Sequence, residues 1–207
     1  GKTVTVNSIT LANGSNGGLA ANYSISTGQT TTANITAKTL TASASASNKV
    51  YDGLTTATTT LTFSGLVGSE TLGQTVASTF SDKNVGTGKT VTVNSITLAD
   101  GSNGGLAANY SISTGQTTTA NITAKTLTAT ASASNKVYDG LTKATTTLTF
   151  SGLIGSETLG QTVGSTFNNK NVGTGKNVTV NSIALADGTN GGLAGNYSCL
   201  LYTSPSP

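Results

Sequence analysis

Apolar residues alternate with Thr and Ser in short stretches along the whole chain. This alternation is typical of β-strands that turn one face toward a core and the other toward solvent. In the middle of the chain the alternating stretches lie at residues 40–46, 60–64, 90–93, 96–98 and 109–113, and a last apolar segment is centred on Ile122.

The alternation at residues 96–98 is out of phase with that at residues 90–93. Val91 and Val93 alternate with Thr, but Ile96 and Leu98 resume the alternation one residue out of step. Because side chains along a strand point to opposite faces in turn, one extra residue moves every later side chain to the other face. The sequence therefore predicts a β-bulge at residues 94–95 that returns the apolar side chains to one face.

Turn residues separate the strands, and helical patterns are nearly absent. Gly adopts positive φ without strain, and Asn and Asp bond to their own backbone, so clusters such as residues 52–53 and 100–105 predict loops. Only residues 68–72 are compatible with a single helical turn, with Ser69 as its cap. We therefore expect an all-β fold with six to eight strands per module, as a small immunoglobulin-like β-sandwich or, alternatively, a β-grasp-like sheet with one degenerate helix.

The pattern recurs with a period of 87 residues. Residues 1–87 and 88–174 differ at only seven positions, and the one large apolar residue among them, Val67, is replaced by the similar Ile154. A period of this length exceeds that of solenoid repeats and matches a small independent domain. The chain is therefore predicted to be a tandem array of modules.

The predicted module boundaries follow from the period. Residues 1–38 are the later part of a first module, residues 39–125 a complete second module, and residues 126–198 a truncated third module. We expect every module to have a core of its own. No linker rich in Pro, Ser and Gly separates the modules, and the β-prone join at residues 121–128 predicts little hinge freedom.

Composition excludes several classes of function. Only 8% of the residues are charged, Arg is absent, and the Lys residues are scattered singly, so we expect no nucleic-acid partner. His, the commonest general base and metal ligand, is absent. Cys199 is the one Cys, which excludes a disulfide framework and a Cys-based metal site. No run of 18 apolar residues predicts a membrane span.

The recurrent segment from Lys49 to Thr55 contains the most conspicuous candidate residues. Tyr51 and Asp52 are compatible with a ligand contact, but such a Tyr more often packs its ring in the core and bonds its hydroxyl locally. Asp52-Gly53 then forms the turn. We expect a structural role for this segment.

The remaining acidic residues do not form a convincing active site. Residues 100–105 resemble a calcium loop only weakly, because they offer one carboxylate, Asp100, whose counterpart is Asn13. Glu70 and Asp82 are the only other acids of the complete module, and Asp82 becomes Asn169 in the next copy, which argues against a glycosidase pair. We expect no enzyme and no catalytic, cofactor-binding or metal-binding residues.

Two surface features carry little weight in the sequence. The Thr-x-Thr patterning is also typical of ordinary half-buried strands, so it does not predict a flat binding face. Sites of the Asn-x-Ser/Thr type are frequent in a chain rich in Ser and Thr, and modification there is a minor alternative. They include Asn22, Asn34, Asn109, Asn121 and Asn177.

Four sequence blocks in constant order carry a resemblance to a known family. They are the segment from Lys49 to Thr55, residues 80–89, Ala108-Asn109-Tyr110-Ser111 and Ala120-Asn121-Ile122-Thr123. Together they resemble the YDG-type repeat of very large bacterial exoproteins of the filamentous haemagglutinin and adhesin kind, over residues 1–198. The resemblance implies an extracellular or bacterial cell-surface location, a structural role in an adhesin stalk, and no catalytic residues.

The repeat pattern stops abruptly near the C-terminus. After Ser198 the period requires Ile-Ser-Thr-Gly-Gln, but residues 199–207 carry the single Cys and both Pro residues of the chain. This segment resembles the translated end of a sequencing-library adapter, and we expect it to be a non-native tail that is foreign to the fold.

Two functions are compatible with these features. The first is a non-catalytic spacer in the stalk of a secreted or surface-attached bacterial adhesin, whose partners are the neighbouring modules of the same chain. The alternative is a module that binds a glycan or host protein weakly and gains avidity by repetition. Glycan sites usually require exposed aromatic residues, and the absence of Trp favours the spacer.

Overall fold

The computed structural model describes residues 1–200 and shows an all-β protein, as the alternation predicts. Helical residues in this range are confined to 3-10 turns at Ala20–Asn22, Ala107–Asn109 and Ala194–Asn196, and no helix there is long and apolar enough to cross a membrane. The strands are β1 (Lys2–Thr5), β2 (Thr30–Ala33), β3 (Lys38–Ala46), β4 (Lys49–Val50), β5 (Thr56–Ala57), β6 (Thr59–Ser64), β7 (Leu72–Phe80), β8 (Gly86–Asp100), β9 (Tyr110–Ile112), β10 (Thr117–Thr123), β11 (Lys125–Ala133), β12 (Thr146–Ser151), β13 (Leu159–Phe167), β14 (Val178–Asp187) and β15 (Tyr197–Cys199).

The second module, β3 to β10, is a sandwich of two sheets. In the smaller sheet β3 pairs antiparallel with β6 and parallel with β9. The larger sheet has the order β4-β10-β8-β7-β5, with a parallel pair between β10 and β4. Leu40 and Leu61 from the smaller sheet and Val91, Val93 and Ile122 from the larger sheet are all at most 3% exposed. The eight strands confirm the predicted number and the β-sandwich.

The predicted β-bulge is confirmed. The pairing of β7 with β8 skips one residue between Val93 and Ser95, which leaves Asn94 without a partner on β7. Val93 before it is buried and Ile96 after it is half-buried, so one face of the 15-residue strand stays apolar. The pairing of β13 with β14 contains the same irregularity at Asn181.

The predicted helical turn at residues 68–72 is wrong. Gly68 and Ser69 form a tight turn with Gly68 at φ 56°, and β7 begins at Leu72. The alternation does not predict β7, because polar Gln74 and Ser78 occupy positions on its inward face. The amide nitrogen of Gln74 donates a hydrogen bond of 2.8 Å to the carbonyl oxygen of Leu61 in the opposite sheet, whereas Oε1 of Gln74 is buried without a partner among the described residues.

The third module repeats this arrangement and joins the second without a linker. β11 pairs with β12 and β15, and β13 pairs with β14, as their counterparts do one period earlier. Only Ala124 separates β10, in the larger sheet of the second module, from β11, in the smaller sheet of the third. The chain therefore passes directly from one sandwich into the next.

The cores of the second and third modules are continuous at this join. One cluster of buried side chains combines Tyr51, Phe80 and Ile122 of the second module with Leu127 and Tyr197 of the third. The reason is that Tyr51 lies at the end of its sandwich, where the next module covers it. Burial of apolar surface thus continues across the module boundary.

Part of the predicted non-native tail has a defined place. Cys199 is the last residue of β15 and pairs with Leu127, as Ile112 pairs with Leu40 in the second module. It therefore occupies the strand position that the period assigns to Ile. Residues 201–207 of the predicted tail lie outside the described residues.

Candidate functional site at the module junction

Tyr51 connects the second and third modules. Its backbone N–H donates a hydrogen bond of 2.9 Å to the carbonyl oxygen of Thr123, which holds it on β10 of its own module. Its side chain is directed into the third module, where the hydroxyl donates a 2.7 Å hydrogen bond to Oε1 of Glu157. The ring meets that of Tyr197 edge to face, with centroids 5.4 Å apart and an interplanar angle of 81°. Only 1% of Tyr51 remains exposed.

The residues that receive Tyr51 form an acceptor site, which we define as Ile154, Glu157, Asn196 and Tyr197. Tyr197 organises this site, since its hydroxyl donates to Oε2 of Glu157 at 2.6 Å and accepts from the backbone N–H of Ile154 at 3.0 Å. Each carboxylate oxygen of Glu157 thus accepts a hydrogen bond from one tyrosine. The carboxylate is therefore held in place by groups from both modules.

The electrostatics of the junction favour a charged Glu157 and neutral tyrosines. Burial alone would raise the pKa of the Glu157 carboxyl, but hydrogen bonds from Tyr197 and Tyr51 and the charge of Lys83, 3.5 Å away, outweigh it and hold the pKa below its usual value. Burial, followed by the hydrogen bond to Glu157, raises the pKa of both Tyr51 and Tyr197 above their usual value. All hydrogen bonds of this network therefore persist near neutral pH.

Asn196 makes a second polar contact beside the tyrosines. Its Oδ1 accepts from the backbone N–H of Val85 at 2.9 Å, and its Nδ2 donates to Oδ1 of Asn84 at 3.1 Å. Asn84 and Val85 lie in the loop between β7 and β8 of the second module. Asn196 is only 2% exposed, so both of its polar groups are buried and both are satisfied.

Gly53 is required at the junction for two reasons. Its φ of 78° lies in the left-handed region, which favours Gly. A Cβ on Gly53 would also lie 2.8 Å from Cγ2 of Ile154 in the next module. The counterpart Gly140 has a φ of 77°, but no atom lies within 4 Å of the position that a Cβ would take there, so only Gly53 carries the second requirement.

The loop that carries Tyr51 is shaped by its own residues. Lys49 forms an ion pair of 2.8 Å with Asp52 and donates to the carbonyl oxygens of Leu54 and Thr56. Asp52 also accepts from the N–H of Leu54 at 2.9 Å. Burial opposes ionisation of Asp52, but these hydrogen bonds and the charge of Lys49 hold its pKa below the usual value. The same contacts recur around Lys136 and Asp139 in the third module.

These contacts confirm two of the roles that the sequence predicts for the Tyr-Asp-Gly stretch and contradict a third. Asp52-Gly53 forms the turn, and the Tyr51 ring is buried, as expected. The expectation that the Tyr51 hydroxyl bonds locally is wrong, because its partner Glu157 is 106 residues away. Sequence reasoning also missed the acceptor site, although the recurrence of Asn-Tyr-Ser at residues 109–111 and 196–198 is a signal that points to it.

Each of the other acidic candidates accepts hydrogen bonds from residues of its own module. Asp82 pairs with Lys89 at 2.6 Å and accepts from the N–H of Asn84, and its counterpart Asn169 accepts from Lys176 in the same way. Asp100 accepts from the N–H of Ala107 at 2.8 Å.

Asn13 accepts from Ala20 at the same 2.8 Å, which explains why Asn replaces Asp at this position: only an acceptor is required. Glu70 accepts from Tyr110, as Glu157 does from Tyr197. Within residues 1–200 no group of three or more acidic, Cys or His residues is arranged to hold a metal ion.

The Asn-x-Ser/Thr sites lie in different environments. Asn22 and Asn109 end 3-10 turns and are exposed, as are Asn34 and Asn177. Asn121 is half-buried in β10 and accepts from the N–H of Gly88 at 2.8 Å. Asn196, the counterpart of Asn109, is buried in the junction. Modification of the exposed sites stays a minor alternative.

Comparison with known proteins identifies the repeat. The family model described as the YDG domain matches residues 36–120 and again residues 123–206. No curated protein and no solved structure matches the chain significantly. The two matches cover most of the chain, and the Tyr-Asp-Gly residues of each copy form the loop described above. The chain therefore belongs to the YDG domain family.

Proposed function

We propose that this chain is a non-catalytic spacer from the stalk of a secreted or surface-attached bacterial adhesin of the filamentous haemagglutinin-like kind, located outside the cell. The observation that carries the proposal is the burial of Tyr51 in the acceptor site of the following module. Modules that were independent ligand-binding units would gain nothing from covering their motif tyrosine with a neighbour. Modules that must hold a fixed direction gain stiffness from it.

The connection between the modules supports the same role. With Ala124 alone between β10 and β11, and with side chains of both modules in one buried cluster, bending at the join requires the loss of apolar burial and of the Glu157 hydrogen bonds. Strands of nine residues at about 3.3 Å per residue give a reach of about 30 Å per module if they run along the array. Each added module then lengthens the stalk by a constant step.

Small-angle X-ray scattering on proteins with two, three and four copies of residues 39–125 tests this function. We expect the maximum dimension to increase by the same amount with each module, and the cross-section to stay constant. The matched control is the four-module protein in which Tyr51 and its counterpart in every other module are replaced by Ala. Its modules should be flexibly linked, so its maximum dimension should be smaller and its scattering profile that of a flexible chain of domains. A rigid profile in this control, or specific binding to a glycan array that strengthens with module number, would instead favour the alternative of a multivalent binding module.

A further inference from the structure

β6 forms one edge of the smaller sheet in the second module, and no strand pairs with its outer side within residues 1–200. β12 has the same position in the third module. Successive residues of an antiparallel strand direct their N–H and C=O groups alternately toward the partner strand and away from it. Every second residue of an edge strand therefore presents unpaired backbone groups to which another strand can bind.

The sequence of these two strands makes the open edge a hazard. Both strands read Thr-Thr-Leu-Thr-Phe-Ser, with no charged residue and no Pro. Lys and Pro are among the features by which natural edge strands avoid pairing with other chains. A six-residue segment of high β-propensity without charge or Pro is instead typical of strands that associate. The edges of β6 and β12 therefore require protection of another kind.

A glutamine from the opposite sheet lies against the edge in the third module. Nε2 of Gln161 on β13 donates a hydrogen bond of 2.6 Å to the carbonyl oxygen of Leu148 on β12. Oε1 of the same side chain accepts from the backbone N–H of Leu148 at 2.9 Å. The side-chain amide therefore binds both backbone groups of Leu148, as a residue of a neighbouring strand would.

The second module contains the same contact with one bond fewer. Nε2 of Gln74 on β7 donates to the carbonyl oxygen of Leu61 on β6 at 2.8 Å, whereas Oε1 is buried without a partner among the described residues. Leu61 and Leu148 are both buried. The glutamines occupy equivalent positions of β7 and β13, so the contact is a property of the repeat.

The position of Leu61 along β6 makes one glutamine sufficient. Because backbone groups alternate in direction, Thr59, Leu61 and Phe63 are the residues of β6 that face the free edge, and Leu61 is the middle one. With Leu61 bound to Gln74, the remaining two are separated by four residues, or about 13 Å at 3.3 Å per residue. An incoming strand then finds no two successive edge residues with which to pair.

We propose that Gln74 and Gln161 close the edges of β6 and β12, and that they prevent these strands from pairing with the same strands of a second copy of this chain. The closure is independent of the spacer role, since it concerns the folded module itself. A repeat array needs it more than a single domain does, because the same uncharged strand recurs after 87 residues in a nearly identical neighbour. It also accounts for the polar residue on the inward face of β7 and of β13.

Sedimentation equilibrium of the full chain tests the proposal, with Cys199→Ser in every protein to exclude disulfides. Concentrations from about 10 μM to about 1 mM cover the range in which weak interfaces dissociate. Gln161→Met keeps the length of the side chain but opens the edge of β12. We expect its weight-average mass to exceed that of the parent and to level off at a dimer, because two like edges pair with each other and leave none free. Gln74→Met together with Gln161→Met opens two edges per molecule, so its mass should pass that of a dimer.

Gln116→Met is the matched control. The amide of Gln116 also donates a bond of 2.8 Å to a backbone carbonyl, that of Ser113, and its Oε1 is also buried without a partner among the described residues. Gln116 contacts a loop and no strand edge, so this variant should sediment as the parent does. Gln74→Met alone, at the module with one bond fewer, provides the single-edge test if Gln161→Met changes the circular dichroism spectrum.

Two further measurements distinguish edge pairing from a general loss of stability. The amide of Leu148 should exchange its hydrogen faster in dilute Gln161→Met than in the parent, and it should regain protection as the concentration rises and a second copy pairs with it. Adding Thr149→Lys, at an exposed residue of β12, should return Gln161→Met to the mass of the parent. The proposal is overturned if Gln161→Met keeps the mass of the parent at every concentration, if Gln116→Met associates equally, or if association survives Thr149→Lys.

Discussion

Tyr51 and Tyr138 are the same residue of the repeat in two environments. Tyr51 is 1% exposed beneath the third module, whereas Tyr138 is 59% exposed. Both belong to loops held by the same Lys–Asp ion pair. The ion pair therefore holds the loop in its conformation whether or not a neighbouring module covers the tyrosine. The burial of Tyr51 depends on the neighbouring module.

Replacing Tyr51 by Ala should destabilise the protein far more than replacing Tyr138. Truncation of a buried aromatic side chain typically costs about 3–5 kcal/mol, and Tyr51→Ala also leaves Oε1 of Glu157 without its donor. Tyr51→Phe keeps the ring and should cost only about 1–3 kcal/mol for the lost bond to a charged group. Urea denaturation of the full chain measures all three variants. Equal losses for Tyr51→Ala and Tyr138→Ala would contradict the junction role.

Gly53 and Gly140 form a second matched pair. Ala at either position should cost about 1–2 kcal/mol for a left-handed backbone, since their φ values are 78° and 77°. Only Gly53→Ala adds a Cβ at 2.8 Å from Ile154, so it should lower the unfolding midpoint further and expose Tyr51. Denaturation followed by tyrosine fluorescence measures both effects. The junction is not tightly packed if the two variants behave alike.

Protonation of Glu157 should loosen the junction at acid pH. Its pKa is depressed from the ordinary 4.5, so its stabilising contribution is complete above that value and is lost as the pH falls through the lower, folded-state pKa. The pKa values of Asp52, Asp82 and Asp139 are also lowered, so the whole protein loses stability in acid. Glu157→Gln removes one contribution only, and its stability should fall less steeply below pH 4.5 than that of the wild type. Parallel profiles from thermal melts at several pH values would contradict this assignment.

At the scale of strands, the sequence predicts elements well where the alternation is clean. The change of phase between Val93 and Ile96 is sufficient to locate the bulge, because period-two alternation leaves one explanation for it. β7 cannot be found in the same way, since Gln74 and Ser78 point inward. Gln74 is accommodated there by a bond to the Leu61 carbonyl of the opposite sheet, which local sequence does not reveal, and the Ser78 hydroxyl is buried without a hydrogen-bond partner among the described residues.

Deleting Asn94 should be far more damaging than substituting it. The deletion removes the extra residue of the bulge and turns Ile96 and Leu98 to the solvent face, or forces β8 out of register with β7. Asn94→Ser keeps the residue count and loses only the 3.0 Å bond from Asn94 to Thr79, so it should stay near the ~1 kcal/mol of an ordinary mutation. Thermal melts of both variants, with the same pair of changes at Asn181 as a control, measure the difference. A deletion that melts like Asn94→Ser would show that the bulge does not set the register.

At the scale of the whole molecule, the period predicts the modules but not the contact between them. The tyrosine loop and the acceptor site both occur in the second and in the third module, so the sequence does not tell whether Tyr51 meets the acceptor site of its own module or of the next. The structure decides this through the position of the loop, at the end of the sandwich from which β11 leads into the following module. The burial of Tyr51 is therefore a property of the array, whereas local sequence reasoning assigns it to a single module.

The isolated second module should fold, but with less stability than it has in the array. Residues 38–125 contain eight strands and a buried set that includes Leu40, Leu61 and Val93, which is sufficient for a sandwich without the neighbour. Removal of the third module uncovers Tyr51, and the hydrogen bonds to Glu157 and Asn196 are lost with it. Hydrogen exchange of the Val91 and Val93 amides, compared between this fragment and the full chain, measures the difference in opening free energy at the same core positions. We expect slower exchange in the full chain, and a smaller gain when the full chain carries Tyr51→Ala. Identical exchange in fragment and full chain would mean that the modules are energetically independent, and a random-coil spectrum of the fragment would mean that the neighbour is required for folding.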